Sequence, residues 1–370
     1  MIKRSLLIAG LTLATATNVH ALPYGFYDAR SVAMGNVSMA TGGITTAALS
    51  NPGMLSVNET NDKFALLLPA IGVQAIDDGD VVDLVDEFQA LENNPSIPGI
   101  SRQIEILNEL EDASLIAAVI PNMAFVYSGD TITWGVTVRS NAVVSAGLID
   151  INTSFIDPDA TVDALGVLIT EIGVPIGTDV SFAGMQLSFG ITPRFVQVDA
   201  IEYRESIKTA DIDDIQDQQE EDLGSFSTID AGVTLNIIDT FRVGLVAKNL
   251  IEETKTTASG FNTVEFDTHF RAGAAFDAGF MTIAADMDLT EREPIASENP
   301  SQSLSVGAEF DAFSVMQLRL GYQTNLASGA TDPDLLSVGV GFWLGFHLDV
   351  ALVAGEDSSY GAFAQTGFRF

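Results

Sequence analysis

The sequence predicts an all-β chain, a transmembrane antiparallel β-barrel of about 14 strands. Three observations predict it. Segments in the C-terminal half alternate apolar and polar residues with period two, hairpin after hairpin. Charged residues stand in the middle of those strands, where a wet lumen would receive them. The chain is 47% hydrophobic yet, beyond its N-terminus, holds no run of the ~18 apolar residues a membrane helix requires, which leaves the closed barrel as the way to span a bilayer.

In chain order, residues 1–21 carry Lys3 and Arg4, the apolar run Leu6–Leu13 and small residues ending at Ala21, the pattern of a secretory signal cleaved after Ala21. Residues 22–61 are rich in small residues and turns, and residues 62–370 form the barrel. In the loop after the first strand, Val82, Val85, Phe88 and Leu91, then Ile104, Leu107 and Leu110, recur at helical spacing and predict two short helices. Ala160–Ile172 reads as another loop helix, and Asp211–Asp222 as an acidic loop tip.

The strands follow one rule. Ile132, Trp134, Val136 and Val138 oppose Thr133, Gly135, Thr137 and Arg139; Met185, Leu187 and Phe189 oppose Gln186, Ser188 and Gly190; Val233, Leu235 and Ile237 oppose Gly232, Thr234 and Asn236. Later hairpins repeat the pattern, with Gly273, Gly307 and Gly339 marking equivalent positions of a strand, turn and strand unit. Their inward faces carry Arg271, Asp286, Asp288, Glu309, Arg319, His347 and Asp349, the candidate polar residues of the lumen. A soluble β-sandwich also alternates. The mid-strand charges, and short turns on one side against long acidic loops on the other, favour the barrel. The chain ends "YGAFAQTGFRF": Tyr360, Ala362, Ala364, Thr366, Phe368 and Phe370 share one face of a closing strand.

There is no cysteine, which excludes a disulfide scaffold, thiol chemistry and a lipid-bearing N-terminal cysteine. Fifty acidic residues against 16 basic ones give a formal charge of −34, which excludes nucleic acid as a direct ligand. His347 and Asp349 share the inward face, but a lone pair of this kind reads as lumen filling, and no nucleophile elbow, HExxH or phosphate loop is present. No enzyme, cofactor or metal site is expected. Neither Asp77, Asp78, Asp80 and Asp83 nor the Asp211–Asp222 loop has the ligand order of an EF-hand.

The stretch "YDARSVAMGNVSMATGGITTAALSNPGML" resembles the opening of the FadL-like long-chain fatty acid transporters through Tyr27, Arg30, Ala33, Met34, Gly35 and Asn51-Pro52-Gly53, with Gly53 where that family has Ala. The resemblance implies that residues 22–61 fold as a hatch plugging a 14-stranded barrel, with Arg30, Gly35, Asn51, Pro52 and Gly53 as gating candidates for passage of a hydrophobic small molecule. A barrel this wide cannot be filled by its own side chains. The overall layout also looks like the plasmid-transfer-operon TraF family, an outer-membrane barrel set, and not the thioredoxin-like protein of the same name, since there is no CxxC. That resemblance implies protein partners in conjugal transfer or secretion. The terminal Phe370, with Phe368, resembles the aromatic signature by which the barrel-assembly machinery recognises outer-membrane barrels of Gram-negative bacteria, whose surroundings would be outer-membrane lipid.

Overall fold

The computed structural model describes residues 28–57, 62–111, 113–215, 218–238, 240–292, 300–312, 315–328, 333–355 and 359–370. The expected signal at 1–21 and Tyr27 lie outside them. The N-terminal segment contains α1 (Ala29–Ala33), α2 (Ile44–Leu49) and a 3-10 turn at Pro52–Met54. The wall begins with β1 (Phe64–Asp78), and helices α3 (Val81–Glu92) and α4 (Ile97–Glu109) precede β2 (Ser114–Ser128). Next come β3 (Thr133–Asn152), β4 (Asp159–Gly173), β5 (Ile176–Phe182), β6 (Met185–Ser206), the short helix α5 (Ile212–Ile215), β7 (Glu221–Ile238) and β8 (Phe241–Lys248). A small hairpin, β9 (Glu253–Thr256) and β10 (Thr263–Phe266), stands apart from the wall. The wall resumes with β11 (His269–Asp277), β12 (Met281–Asp288), β13 (Ser303–Ala312), β14 (Met316–Asn325), β15 (Leu335–Trp343), β16 (His347–Gly355) and β17 (Tyr360–Arg369).

Every wall strand pairs antiparallel with its neighbours, and β1 pairs with β17, so the sheet closes. β4 and β5 are one stave interrupted at Val174-Pro175. Both pair with β3 in a single register, Thr137 opposite Gly173 and Trp134 opposite Ile176. The Pro175 carbonyl still accepts from Gly135 N at 2.9 Å, so only the bond that proline cannot donate is missing. Counted this way the barrel has 14 staves, as the alternation predicts. Closure is completed by the last residue: Lys63 N and Phe64 N donate to Phe370 O at 2.7 and 3.0 Å, and Phe370 N donates to Phe64 O at 2.9 Å.

The predicted faces hold. Val306 and Phe310 are exposed while Ser305, Gly307 and Glu309 are buried, and the alternation persists through β17. Exposed apolar side chains on the outside form the belt that lipid covers, and Phe64, Phe125, Tyr127 and Trp134 cluster at its short-turn end with ring centroids 5.2–6.3 Å apart. No described helix is long and apolar enough to cross a membrane. In β1 the inward set shifts from Ala65 and Leu67 to Ala70, Gly72 and Gln74, because a bulge falls at Leu68-Pro69, where proline has no N–H to pair.

The expected helix over Ala160–Ile172 is a strand, β4. Thr161, Val162, Val167, Ile169, Thr170 and Ile172 are β-branched and favour the pleated form. Much of the segment is buried on both faces, which erases the polar alternation that marks other strands and leaves an apolar run that periodicity alone cannot assign. On one face Ala164 and Leu168 join the cluster beneath α3 and α4; on the other Leu165 and Val167 pack with Val264 and Phe266 of the β9–β10 hairpin. Strands β2 to β7 run to 15–22 residues where they are unbroken, against 8–10 for β11 to β17, so that side of the wall flares beyond the bilayer and carries these additions.

Candidate functional site

The N-terminal segment sits inside the barrel, and its backbone path follows from short-range chemistry. Asp28 caps α1 by accepting from Ser31 N at 2.7 Å. The helix ends at Gly35 and Asn36, both with positive φ (73° and 69°), and their amides turn back to the Val32 and Ser31 carbonyls. Gly35 is required twice over. Besides its φ, a β-carbon there would lie 2.6 Å from the Tyr322 carbonyl oxygen of the wall. Asn51 is fully buried; its Oδ1 accepts from Gly53 N at 2.9 Å to start the 3-10 turn, and its Nδ2 donates to Met39 O at 2.7 Å and Thr234 Oγ1 at 3.3 Å. Pro52 opens that turn, and Gly53 abuts the backbone of Val233.

The wall meets this segment with a girdle of inward glycines. Side chains at Gly190, Gly232, Gly244, Gly307, Gly321 and Gly339 would run into Pro52, Asn51, Met39, Met34, Gly35 and Ala33 respectively. Gly190 and Gly232 are cross-strand neighbours, as are Gly307 and Gly321, so the seat runs from stave to stave. Removing Cβ lets the hatch backbone lie directly on the wall. The repeat glycines of the sequence are thus the hatch's footprint.

Charged side chains lock the hatch in place. Arg30 makes a two-pronged pair with Glu309, Nε to Oε2 at 2.9 Å and Nη2 to Oε1 at 2.8 Å. Burial disfavours the Arg30 charge, but the Glu309 carboxylate more than offsets this and holds its pKa above the ordinary value. Glu309 also accepts from Arg319 at 2.6 Å; Arg319 reaches Asp349 at 2.7 Å, and Asp349 accepts from Gln365, whose Oε1 accepts from Ala29 N. Asp286 accepts from Ser38 N and Met39 N at 2.6 and 3.0 Å, and Gly35 N donates to Ser337 Oγ. Arg271 joins Asp288 (3.1 Å) to the Asn36 carbonyl.

All seven predicted lumen residues therefore face inward, and five are brought into one hatch-anchoring system: Arg271, Asp286, Glu309, Arg319 and Asp349. Asp288 supports it by holding Arg271 and accepting from Ser303 N. His347 does not join; it contacts Arg369, and its ring lies against that of Trp343 at a tilt of 56°, centroids 4.3 Å apart. Phe368 packs near Phe346, and Phe370 closes the barrel seam.

Sequence reasoning missed the other half of the belt. Arg194 bridges Glu171 and Asp230, both at 2.7 Å, and Arg139 pairs with Glu171 while donating to Leu49 O of the hatch. Glu171 was hidden because its strand reads as a helix; Arg194 and Asp230 follow inward alternation and were legible from it.

Two cavities stand out, one beside the hatch and one across the wall from it. A polar vestibule of 440 Å3 opens at the short-turn end, lined by Arg30, Arg242, Arg319 and Arg369 and by hatch residues Thr41–Thr46. Gly43, in that stretch, is exposed, and a β-carbon built on it meets nothing within 4 Å. At the long-loop end a 310 Å3 apolar pocket lies between α3 and strands β2, β3, β4 and β6. Among the described residues no group of three or more His, Asp or Glu could hold a metal.

A closed antiparallel barrel of 14 staves is the fold of the FadL-like outer-membrane barrels. Three solved structures share it. The toluene transporter TbuX of Ralstonia pickettii matches with a TM-score of 0.56 at 12% identity, covering 94% of this chain and 98% of that one. A FadL homologue from Pseudomonas aeruginosa matches at 0.57 and 8% identity, over 94% and 99%. The toluene transporter TodX of Pseudomonas putida matches at 0.52 and 12%, over 95% and 98%. Residues 48–288 match the family model described as "F plasmid transfer operon, TraF, protein", and the chain belongs to that family. A comparison with curated proteins found no significant match.

Proposed function

We propose that this protein resides in the outer membrane, after cleavage of residues 1–21, and passes a hydrophobic solute through a lumen gated by the hatch. The observation that carries the reading is the hatch itself. Its two flanks are fastened to the wall, by Arg30, Gly35 and Asp286 on one side and by Asn51-Pro52-Gly53 on the glycine seat on the other, while Thr41–Thr46 between them borders the vestibule. Opening lifts Asn51, Pro52 and Gly53 off the glycine seat and carries the loop at Gly42-Gly43 with them, while Arg30, Gly35 and Asp286 hold the other flank. That TbuX and TodX are toluene transporters supports a hydrophobic cargo here by likeness of fold.

The test is uptake of a fluorescent apolar probe into proteoliposomes holding the folded barrel. Saturable uptake above empty vesicles is expected; a heat-modifiable barrel that admits no more probe than bare lipid sinks the reading. Family membership favours a second reading, a barrel that serves a transfer or secretion assembly through protein partners. Ile97, 72% exposed at the start of α4, offers an apolar contact for one. That reading expects crosslinks from α4 to other envelope proteins and none once Ile97 is changed to Asp.

A further inference from the structure

The apolar pocket lies on the outside of the wall. Its floor includes Leu115 and Ala117 of β2, Val144 and Ala146 of β3 and Val162 of β4, and Ala117 pairs with Val144 as Leu115 does with Ala146. On β2 and β3 these floor residues share the strand face of Met123 and Val138, which are 42% and 40% exposed in the lipid-facing belt. The opposite face of the same strands carries Ile120, packed with α1 of the hatch, and Asn122. A molecule in the pocket is therefore separated from the hatch by the wall.

The pocket is built rather than incidental. Gln89 of α3 donates to both the Ile207 and Ala210 carbonyls at 2.9 Å, tying the helix roof to the loop after β6. Tyr203 Oη accepts from Asp211 N at 2.9 Å and fixes the side wall. Behind the roof, Arg102 of α4 holds Glu87 of α3 at 2.9 Å through two bonds. Val81, Val82, Val85 and Ile215 complete an aliphatic lining. Such a cavity, at the small end of the range for ligand sites, takes a compact ligand. Among the described residues its charged lining is Asp86 and Asp211, without lysine or arginine.

We infer that this pocket binds a small uncharged hydrocarbon, reached from the outer surface without passage through the lumen. The inference rests on the proposed hydrophobic cargo and narrows it. An aliphatic cavity rewards apolar surface, whereas a fatty-acid carboxylate would meet two like charges and no cation to pair with.

The experiment is equilibrium binding of neutral N-phenylnaphthylamine and its anionic analogue of similar size, 1-anilinonaphthalene-8-sulfonate, to the folded full-length barrel. The neutral probe binds saturably, and the sulfonate competes at least about tenfold more weakly. Ala146→Phe fills the floor and abolishes binding of the neutral probe while heat-modifiability is retained. The paired change Asp86→Lys with Asp211→Lys, on exposed positions, reverses the preference in favour of the sulfonate. Neutral-probe binding unaltered by Ala146→Phe, or equal competition by the sulfonate before and after the charge reversal, overturns the inference. Binding here with no uptake into proteoliposomes would defeat transport and leave this site standing; uptake with a pocket that binds nothing would do the reverse.

Discussion

Replacing Glu309 by alanine should loosen the hatch without opening the barrel. Glu309 sits mid-wall on β13 and neutralises two guanidiniums, of Arg30 and Arg319. The Arg30 and Glu309 side chains are only 18% and 9% exposed. Arg319 keeps Asp349 after the change, but Arg30 is left with Thr41 Oγ1 at 3.3 Å. Removing one partner of a largely buried pair strands the other charge and costs about 3–5 kcal/mol. That cost falls on the seating of α1, because the wall strands keep their backbone ladders. At about 1.4 kcal/mol per decade, amide exchange in Ala29–Ala33 should rise by roughly two to three and a half orders of magnitude. Native-state hydrogen exchange on the folded barrel reads this directly, and the paired change Arg30→Met with Glu309→Leu should recover most of the protection. Unchanged exchange in α1, or an equal rise across β13 and β14, would show that the Arg30–Glu309 pair does not seat α1.

Gly321→Val places side-chain atoms where Gly35 and Met34 lie, so the barrel should form and remain heat-modifiable while the hatch becomes sensitive to protease; Gly43→Ala, in open space, should leave protection intact. The hydrogen bond from Arg102 holds the Glu87 carboxyl below its ordinary value. A depressed carboxylate contributes stability above its unfolded pKa and loses it as pH falls through the folded one, so the protection factors of α3 and α4, which correct for the intrinsic exchange rate at each pH, should fall on acidification below about pH 4 and fall less in Glu87→Gln. Phe370→Ala should lower the yield of heat-modifiable barrel in the outer membrane, measured by fractionation, while the barrel that does fold keeps the main-chain closure to Phe64.

How much of this was legible depended on which face a residue served. From β11 to β17 one face meets lipid and the other a polar interior, so Val306 against Gly307 or Leu318 against Arg319 betrays the strand at once. The inward charges were read from the same parity. What they hold was not, because Arg30 and Glu309 are 279 residues apart and nothing local links them. Gly273, Gly307 and Gly339 stood out as repeat markers, and their reason is the packing of Met39, Met34 and Ala33 against them, with the Asp286 carboxylate also crowding Gly273, which a strand pattern alone does not contain. β4 was lost because helices cover one of its faces and a hairpin the other. The outer pocket was invisible for a related reason: Ala117, Val144 and Tyr203 look like lipid-facing residues until α3 is laid over them.

A gating hatch must leave its seat for cargo to pass, and a reversible lock between hatch and wall decides whether it does. The chain has no cysteine, so Asn51→Cys with Thr234→Cys introduces a single thiol pair between hatch and wall, at side chains that already touch at 3.3 Å. Oxidation should stop uptake of an apolar probe into proteoliposomes and reductant should restore it; uptake at the same rate with the lock closed would mean that the hatch does not gate the lumen.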